Sequence, residues 1–268
     1  MNSSPALFAL RMLLTGIAIA APIWATGAQV QAPSYTSASI VSAASYSAAA
    51  LAPNTIVAMF GVNLSFDTTG IGGTGLEGGE MPTTLGGVTV YISGIAAGLF
   101  YVSPSQINFL IPSIFRPGTV MIVVARDGVS GPFVPVTLNP AGPALFQDAN
   151  GNAIATHLDG SVISAAAPGQ PGEWVVLYAD GLGLTIPQAL SYTPAPGIAP
   201  LADMTTFSLL LDGTAVAPAQ INYAGLAPGY IGLYQVNLKL PDSVGPNPMI
   251  QLAVGTAISI SNIQLPVQ

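Results

Sequence analysis

The chain of 268 residues contains no cysteine. That absence excludes disulfide bonds, thiolate metal sites, cysteine nucleophiles and a lipid-modified N-terminal cysteine. Charge is almost as scarce: 4 basic and 11 acidic residues make up 6% of the sequence, against roughly 25% in ordinary globular chains. Nucleic-acid binding depends on Lys and Arg displacing phosphate counterions, so a net charge of −7 argues against it. A polybasic role at a membrane surface fails on the same ground. The single histidine, His157, rules out multi-histidine zinc sites.

What remains is apolar, small and rich in turns. Hydrophobic residues account for 51% of the chain, with 30 Gly and 24 Pro. This is enough apolar material for a packed core, with little room for long helices. Without disulfides, stability must come from burial and sheet hydrogen bonding, which domains of roughly 100 residues can supply.

The first residues read as a secretory leader. Arg11 provides the positive n-region, Met12–Ala21 an apolar stretch, Pro22 a helix break and Ala25–Ala28 small residues for cleavage. The apolar stretch falls short of the ~20 residues a membrane span requires. A signal peptide over residues 1–28 is therefore expected, with export to the periplasm, cell surface or medium and no stable membrane span after cleavage. Only Arg116, Arg126 and Lys239 remain basic in the mature chain.

Beyond the leader the apolar residues follow period two. Val88, Val90 and Ile92 share one face, as do Phe207, Leu209 and Leu211, whereas Thr119–Ala125 is apolar on both faces. Asp127-Gly128, Asn150-Gly151, Asp159-Gly160, Asp180-Gly181 and Asp212-Gly213 supply the positive φ of tight hairpins. The chain also repeats itself. Gln106–Pro112 (QINFLIP) matches Gln235–Pro241 (QVNLKLP), and a second proline follows each, Pro117 and Pro246. Ile56–Gly61 parallels Val175–Gly181, and Gly94 and Gly213 lie 33 and 32 residues after Gly61 and Gly181. The predicted fold is all-β, two tandem immunoglobulin-like β-sandwich domains over 29–139 and 140–268.

Within the repeated strand Gln106, Asn108, Gln235 and Asn237 point away from the apolar face. Their expected role is to satisfy backbone groups of a neighbouring loop or strand; the competing one is a polar binding stripe. Tyr101 and Gln106 are separated by four residues, but Tyr223 and Gln235 by the longer insertion containing Gly225–Gly232. That loop either packs its own apolar residues on the sandwich or presents Leu226, Tyr230 and Ile231 to a partner. Tyr91 is a further candidate contact. Trp174 opens an apolar strand and reads as core.

Four stretches carry a resemblance: Ile40–Leu64, Met81–Gly94, Leu99–Pro112 and Ile221–Pro241. Together they resemble an uncharacterised C-terminal domain of Solibacter and related Acidobacteria. The opening of each copy is similar to IPT/TIG-type immunoglobulin-like domains. The family carries no established activity, so the resemblance implies location and fold rather than chemistry.

Catalytic signatures are missing. No G-x-S-x-G surrounds any serine, and His157 lies in an expected hairpin strand. The acidic residues are scattered, several of them in turns, which argues against the paired carboxylates of a glycosidase. The glycine-rich loop Gly70–Glu80 lacks the lysine of a phosphate-binding loop. No cofactor is expected. Calcium has one candidate loop, Asp148–Asn152 with Asp159 eleven residues after Asp148, but Ala153 replaces the usual glycine and a hairpin turn explains the segment equally well. The expected function is an exported, non-enzymatic structural or adhesive module acting through protein or cell-surface contacts, self-association included. The alternative is an extracellular carbohydrate-binding module using Tyr230, Tyr91 and the amide stripe.

Overall fold

Alternating apolar residues bury one face of each strand, and the turn pairs return the chain antiparallel. The computed structural model describes residues 31–72 and 79–268. The expected signal peptide, and Glu77 of the glycine-rich loop, lie outside the described residues. No helix among the described residues is long and apolar enough to cross a membrane.

The first ten strands are β1 (Ile40–Ser42), β2 (Ile56–Phe60), β3 (Thr69–Gly70), β4 (Val88–Ile92), β5 (Ile95–Ala96), β6 (Gly98–Val102), β7 (Gln106–Leu110), β8 (Gly118–Arg126), β9 (Val129–Ser130) and β10 (Val134–Leu138). They form two antiparallel sheets, ordered β1-β2-β7-β6-β3 and β10-β8-β4-β5, with β9 on β8. Val57, Met59, Ile107 and Phe109 of one sheet meet Val88, Val90, Ile122 and Val124 of the other in a fully buried core.

The second set comprises β11 (Ala144–Leu145), β12 (Ala155–His157), β13 (Trp174–Asp180), β14 (Ala199–Pro200), β15 (Phe207–Leu211), β16 (Thr214–Ala215), β17 (Ile221–Leu226), β18 (Tyr234–Lys239), β19 (Ile250–Val254) and β20 (Ala257–Ile258). Its sheets run β11-β13-β18-β17-β14, with β12 on β13, and β16-β15-β19-β20. Val175, Leu177, Val236 and Leu238 face Leu209, Leu211, Ile250 and Leu252 across a second core. The chain is thus all-β, built of two immunoglobulin-like β-sandwiches.

The strands β7 and β18 occupy the same central place in their sheets, and the register extends the repeat. Phe60 pairs with Gln106 as Tyr178 pairs with Gln235. A β-bulge interrupts β6 between Leu99 and Tyr101, and another interrupts β17 between Ile221 and Tyr223, each against the shared strand. The register also corrects one equivalence: Gly61 corresponds to Ala179, not Gly181. Asp127-Gly128 and Asp212-Gly213 do turn hairpins with positive φ at both residues. Asp180-Gly181 does not, because Asp180 ends β13 with its carboxyl directed at the other sandwich.

Among the described residues one cation is buried. Arg126 on β8 is 2% exposed and points inward with no carboxylate partner. Its Nη1 donates to the Asn63 carbonyl and its Nη2 to the Gln31 carbonyl at 2.6 Å, and its guanidinium lies 3.9 Å from the Phe66 ring centroid. These carbonyls replace the water the ion gave up, tying the segment at Gln31 to the sandwich. Arg126→Ala is expected to cost about 3 kcal/mol, since it orphans two carbonyls and leaves a cavity. Urea denaturation measures the loss.

Candidate functional site

Two surfaces stand out: the junction between the sandwiches and the outer face of the second. At the junction three elements of the second sandwich reach the first. The end of β13 brings Asp180, whose Oδ1 accepts from the Ile56 backbone N–H at 3.1 Å and whose Oδ2 accepts from the Ser42 hydroxyl at 3.3 Å. The group is fully buried, and burial pushes its pKa up to about 8 despite the hydrogen bonds from Ile56, Gly181 and Ser42 that pull it down. The nearby Tyr234 hydroxyl donates to the Gly183 carbonyl and accepts from Asn54 Nδ2 of the first sandwich at 3.2 Å. Burial raises its pKa as well, with the Asn54 bond opposing.

The second element is the segment after β13. The Ser113 hydroxyl donates to the Ala189 carbonyl at 2.6 Å, Gln188 Nε2 donates to the Ser113 carbonyl at 3.0 Å, and the Tyr192 hydroxyl donates to the Ala96 carbonyl at 2.7 Å. The third is the loop between β17 and β18. Its Ile231 packs with Met81 and Leu110 in a small apolar cluster flanked by Ile56, Phe100 and Tyr192. Close backbone approach completes the seam, for a Cβ on Gly142 would lie 2.3 Å from the Ala50 carbonyl oxygen.

Beside this seam lies an open groove of about 810 Å³ between Ser45, Asn139, Leu184, Asp203 and Ile258. Its lining includes no aromatic ring, and Asp203 is its one ionisable residue. That carboxylate accepts from the Thr205 N–H and hydroxyl, which lower its pKa, the hydroxyl foremost. The groove therefore offers no aromatic stacking surface, and its one carboxylate is engaged through Oδ1 alone.

The candidate contact residues separate. Tyr230 is 57% exposed on the β17–β18 loop, and Tyr91 is 37% exposed on the outer face of β4. Leu226 is buried in the second core, and Ile231 is buried against the first sandwich. Neither can be offered to an external partner, because the loop spends its apolar side chains on the protein itself. The Asp148 carboxylate is likewise occupied. It accepts from the N–H groups of Asn150 and Asn152 and from the Asn152 amide, and the Asn152 backbone bond leads in lowering its pKa. Asp159 serves a separate turn, bonding Ser161. Among the described residues no three His, Asp or Glu side chains cluster as metal ligands.

His157 sits between two acceptors, Glu173 Oε1 at 2.6 Å from Nδ1 and the Ala167 carbonyl at 3.3 Å from Nε2. The Glu173 hydrogen bond is the main cause that raises its pKa. Both ring nitrogens thus face acceptors of the protein itself.

Sequence reasoning marks the amides on the outer face of the second sandwich as a possible binding stripe but misses the aromatic rings beside them. Trp174, read there as core, alternates with the buried Val175, Leu177 and Ala179, so it shares the outer face of β13 with Val176 and Tyr178. Gln235 and Asn237 face the same way from β18, and Tyr223 from β17. The amides do not serve a neighbouring backbone. They bond along the strand, Gln235 Nε2 to Asn237 Oδ1 at 3.2 Å, as Gln106 Nε2 does to Asn108 Oδ1 at 2.9 Å. Strict period two was the available signal, since Trp174 is one residue out of step with the core positions.

No family model and no curated protein matches the chain, so the resemblance to the acidobacterial module rests on the quoted motifs. Among solved structures the chain is similar to a surface glycan-binding protein from Prevotella bryantii, at 10% identity over 88% of this chain and 42% of that one, with a TM-score of 0.29. It is also similar to a surface glycan-binding protein of the Bacteroides ovatus mixed-linkage glucan utilization locus, solved with a mixed-linkage heptasaccharide. There the identity is 12% over 82% of this chain and 42% of that one, with a TM-score of 0.33. The tandem Ig repeats of Dlar match at 11% identity over 89% of this chain and 95% of theirs, with a TM-score of 0.22. The chain spans less than half the length of the first two, and similarity at this level carries no functional argument.

Proposed function

We propose that this chain is an exported, non-enzymatic structural or adhesive module that works as one rigid pair of sandwiches through contacts at a cell surface. The observation that carries the reading is the seam: backbone, apolar and buried polar contacts hold the two sandwiches in one arrangement. A fixed pair presents its outer sheet faces at a constant separation, which suits a spacer or adhesive element. The fully engaged His157 ring supports the non-enzymatic part.

The test is binding of the labelled, purified chain to cells of the organism that encodes it, in parallel with analytical ultracentrifugation. Saturable cell binding or concentration-dependent self-association is the expected result. A monomer that binds no cells overturns the reading, and so does a hydrolytic activity that disappears on His157→Ala. A second reading, an extracellular carbohydrate-binding module, is supported by one specific observation, the aromatic and amide side chains gathered on the outer face of β13, β17 and β18.

A further inference from the structure

Resting on that second reading, we propose that the outer face of the sheet β11-β13-β18-β17-β14 is a stacking platform for a neutral polysaccharide. Trp174, Tyr178 and Tyr223 supply the ring surfaces, and Gln235 and Asn237 supply the groups that bind hydroxyls.

The register places these residues together. Tyr178 pairs with Gln235, Val176 with Asn237, and Asn237 in turn with Tyr223 on the next strand. Directly paired residues lie about 5 Å apart and alternate residues on one strand about 7 Å apart. Trp174 and Tyr178 therefore bracket a strip about 13 Å long, with the amides beside it. Aromatic faces pack on the C–H faces of sugar rings, while amides match hydroxyls because they both donate and accept. The intrastrand bond uses Gln235 Nε2 and Asn237 Oδ1. Among the described residues no protein hydrogen bond engages Gln235 Oε1 or Asn237 Nδ2, which stay available to a ligand.

Tyr223 shows that the surface is held ready. Its hydroxyl donates to the Leu226 carbonyl at 2.6 Å and accepts from the Ala199 N–H at 3.2 Å. The ring reaches across Gly225, where a Cβ would lie 2.8 Å from the hydroxyl oxygen. A missing side chain thus lets the ring lie along the strand, pinned before any ligand arrives, which lowers the ordering cost of binding.

Charge selects the occupant. Lys239, paired with Trp174 at the end of the strip, is the one charged side chain among the outward residues of β13, β17 and β18. The neighbouring Glu173 is held by His157 and by the Gln170 N–H. A face with one cation and no free carboxylate suits an uncharged chain of sugars. The first sandwich carries a counterpart in Phe60, Tyr101, Gln106 and Asn108, but one end of its sheet, at Ile56 and Leu110, is covered by Ile231. On the second face Trp174, Tyr178, Tyr223, Gln235 and Asn237 are all half-buried, and none belongs to the apolar cluster around Ile231.

The test is native gel electrophoresis of the purified chain through gels containing soluble neutral polysaccharides (a mixed-linkage β-glucan, a xyloglucan and a galactomannan), with polygalacturonate as the acidic comparison. At least one neutral gel is expected to retard the wild type. The double variant Trp174→Ala/Tyr178→Ala is expected to lose about tenfold or more in affinity, while Trp174→Phe, which keeps a ring, recovers most of it. Circular dichroism confirms that each variant remains folded. Retardation that survives the double variant but disappears with Tyr230→Ala overturns the platform and leaves the carbohydrate reading standing. Retardation by polygalacturonate alone overturns the choice of a neutral ligand, and no retardation in any gel overturns both.

Discussion

Asp180→Asn is expected to abolish most of the fall in stability that the wild type shows as pH rises from about 4 to about 8. The carboxyl lies in the seam with a pKa of about 8 in the folded chain, against an ordinary value of 3.8. The folded protein therefore holds a proton that the unfolded chain releases. Stability contributed by this group is complete below about pH 4. It erodes by up to about 1.4 kcal/mol per pH unit and is gone once pH passes the folded value. Asparagine has the shape of the protonated acid: its oxygen can accept from the Ile56 N–H, and its NH2 can donate to the Ser42 hydroxyl. The variant should match the wild type near pH 4 and exceed it at pH 8.5 by on the order of 5 kcal/mol. Urea unfolding at a series of pH values checks this, and parallel pH profiles for the two proteins would show that Asp180 is not a buried acid of the seam.

Gly142→Val is expected to be among the most damaging single substitutions in the chain. Its Cβ would meet the Ala50 carbonyl oxygen at 2.3 Å and the Ala50 carbonyl carbon at 2.4 Å, and these are backbone atoms that cannot rotate aside. Gly142 has no positive φ, so the effect reports contact across the seam rather than backbone strain. A loss of about 4 kcal/mol or more is expected, as in severe overpacking. Gly213→Ala provides the contrast. It has φ +77 in a hairpin, and a Cβ there meets nothing within 4 Å, so it should lose only about 1 kcal/mol. Equal losses in the two variants, measured by denaturant midpoint, would show that the sandwiches yield at the seam.

The sandwich architecture was legible because burial on one face of a strand imposes period two on Val88–Ile92 and Phe207–Leu211. The repeat was legible because β7 and β18 are central strands, whose outward Gln and Asn bond each other in both copies. The seam was not. Asp180-Gly181 has the same local chemistry whether it turns an exposed hairpin or docks on another sandwich, and nothing near it in sequence names Ile56 or Ser42. The loop at Gly225–Gly232 was correctly marked as the place where the copies differ. Its role was hidden because an apolar side chain such as Ile231 looks the same facing solvent or a neighbouring sandwich. Trp174 was misread for a related reason: aromatic rings are usual in cores, and only its phase relative to Val175 and Leu177 puts it outside.

The central claim is that the two sandwiches form one body through this seam. Differential scanning calorimetry of the purified chain at pH 5, where Asp180 is protonated in the folded state, tests it most directly. One transition with equal calorimetric and van't Hoff enthalpies is expected, with separation into two in Gly142→Val. Two independent transitions in the wild type would contradict the claim.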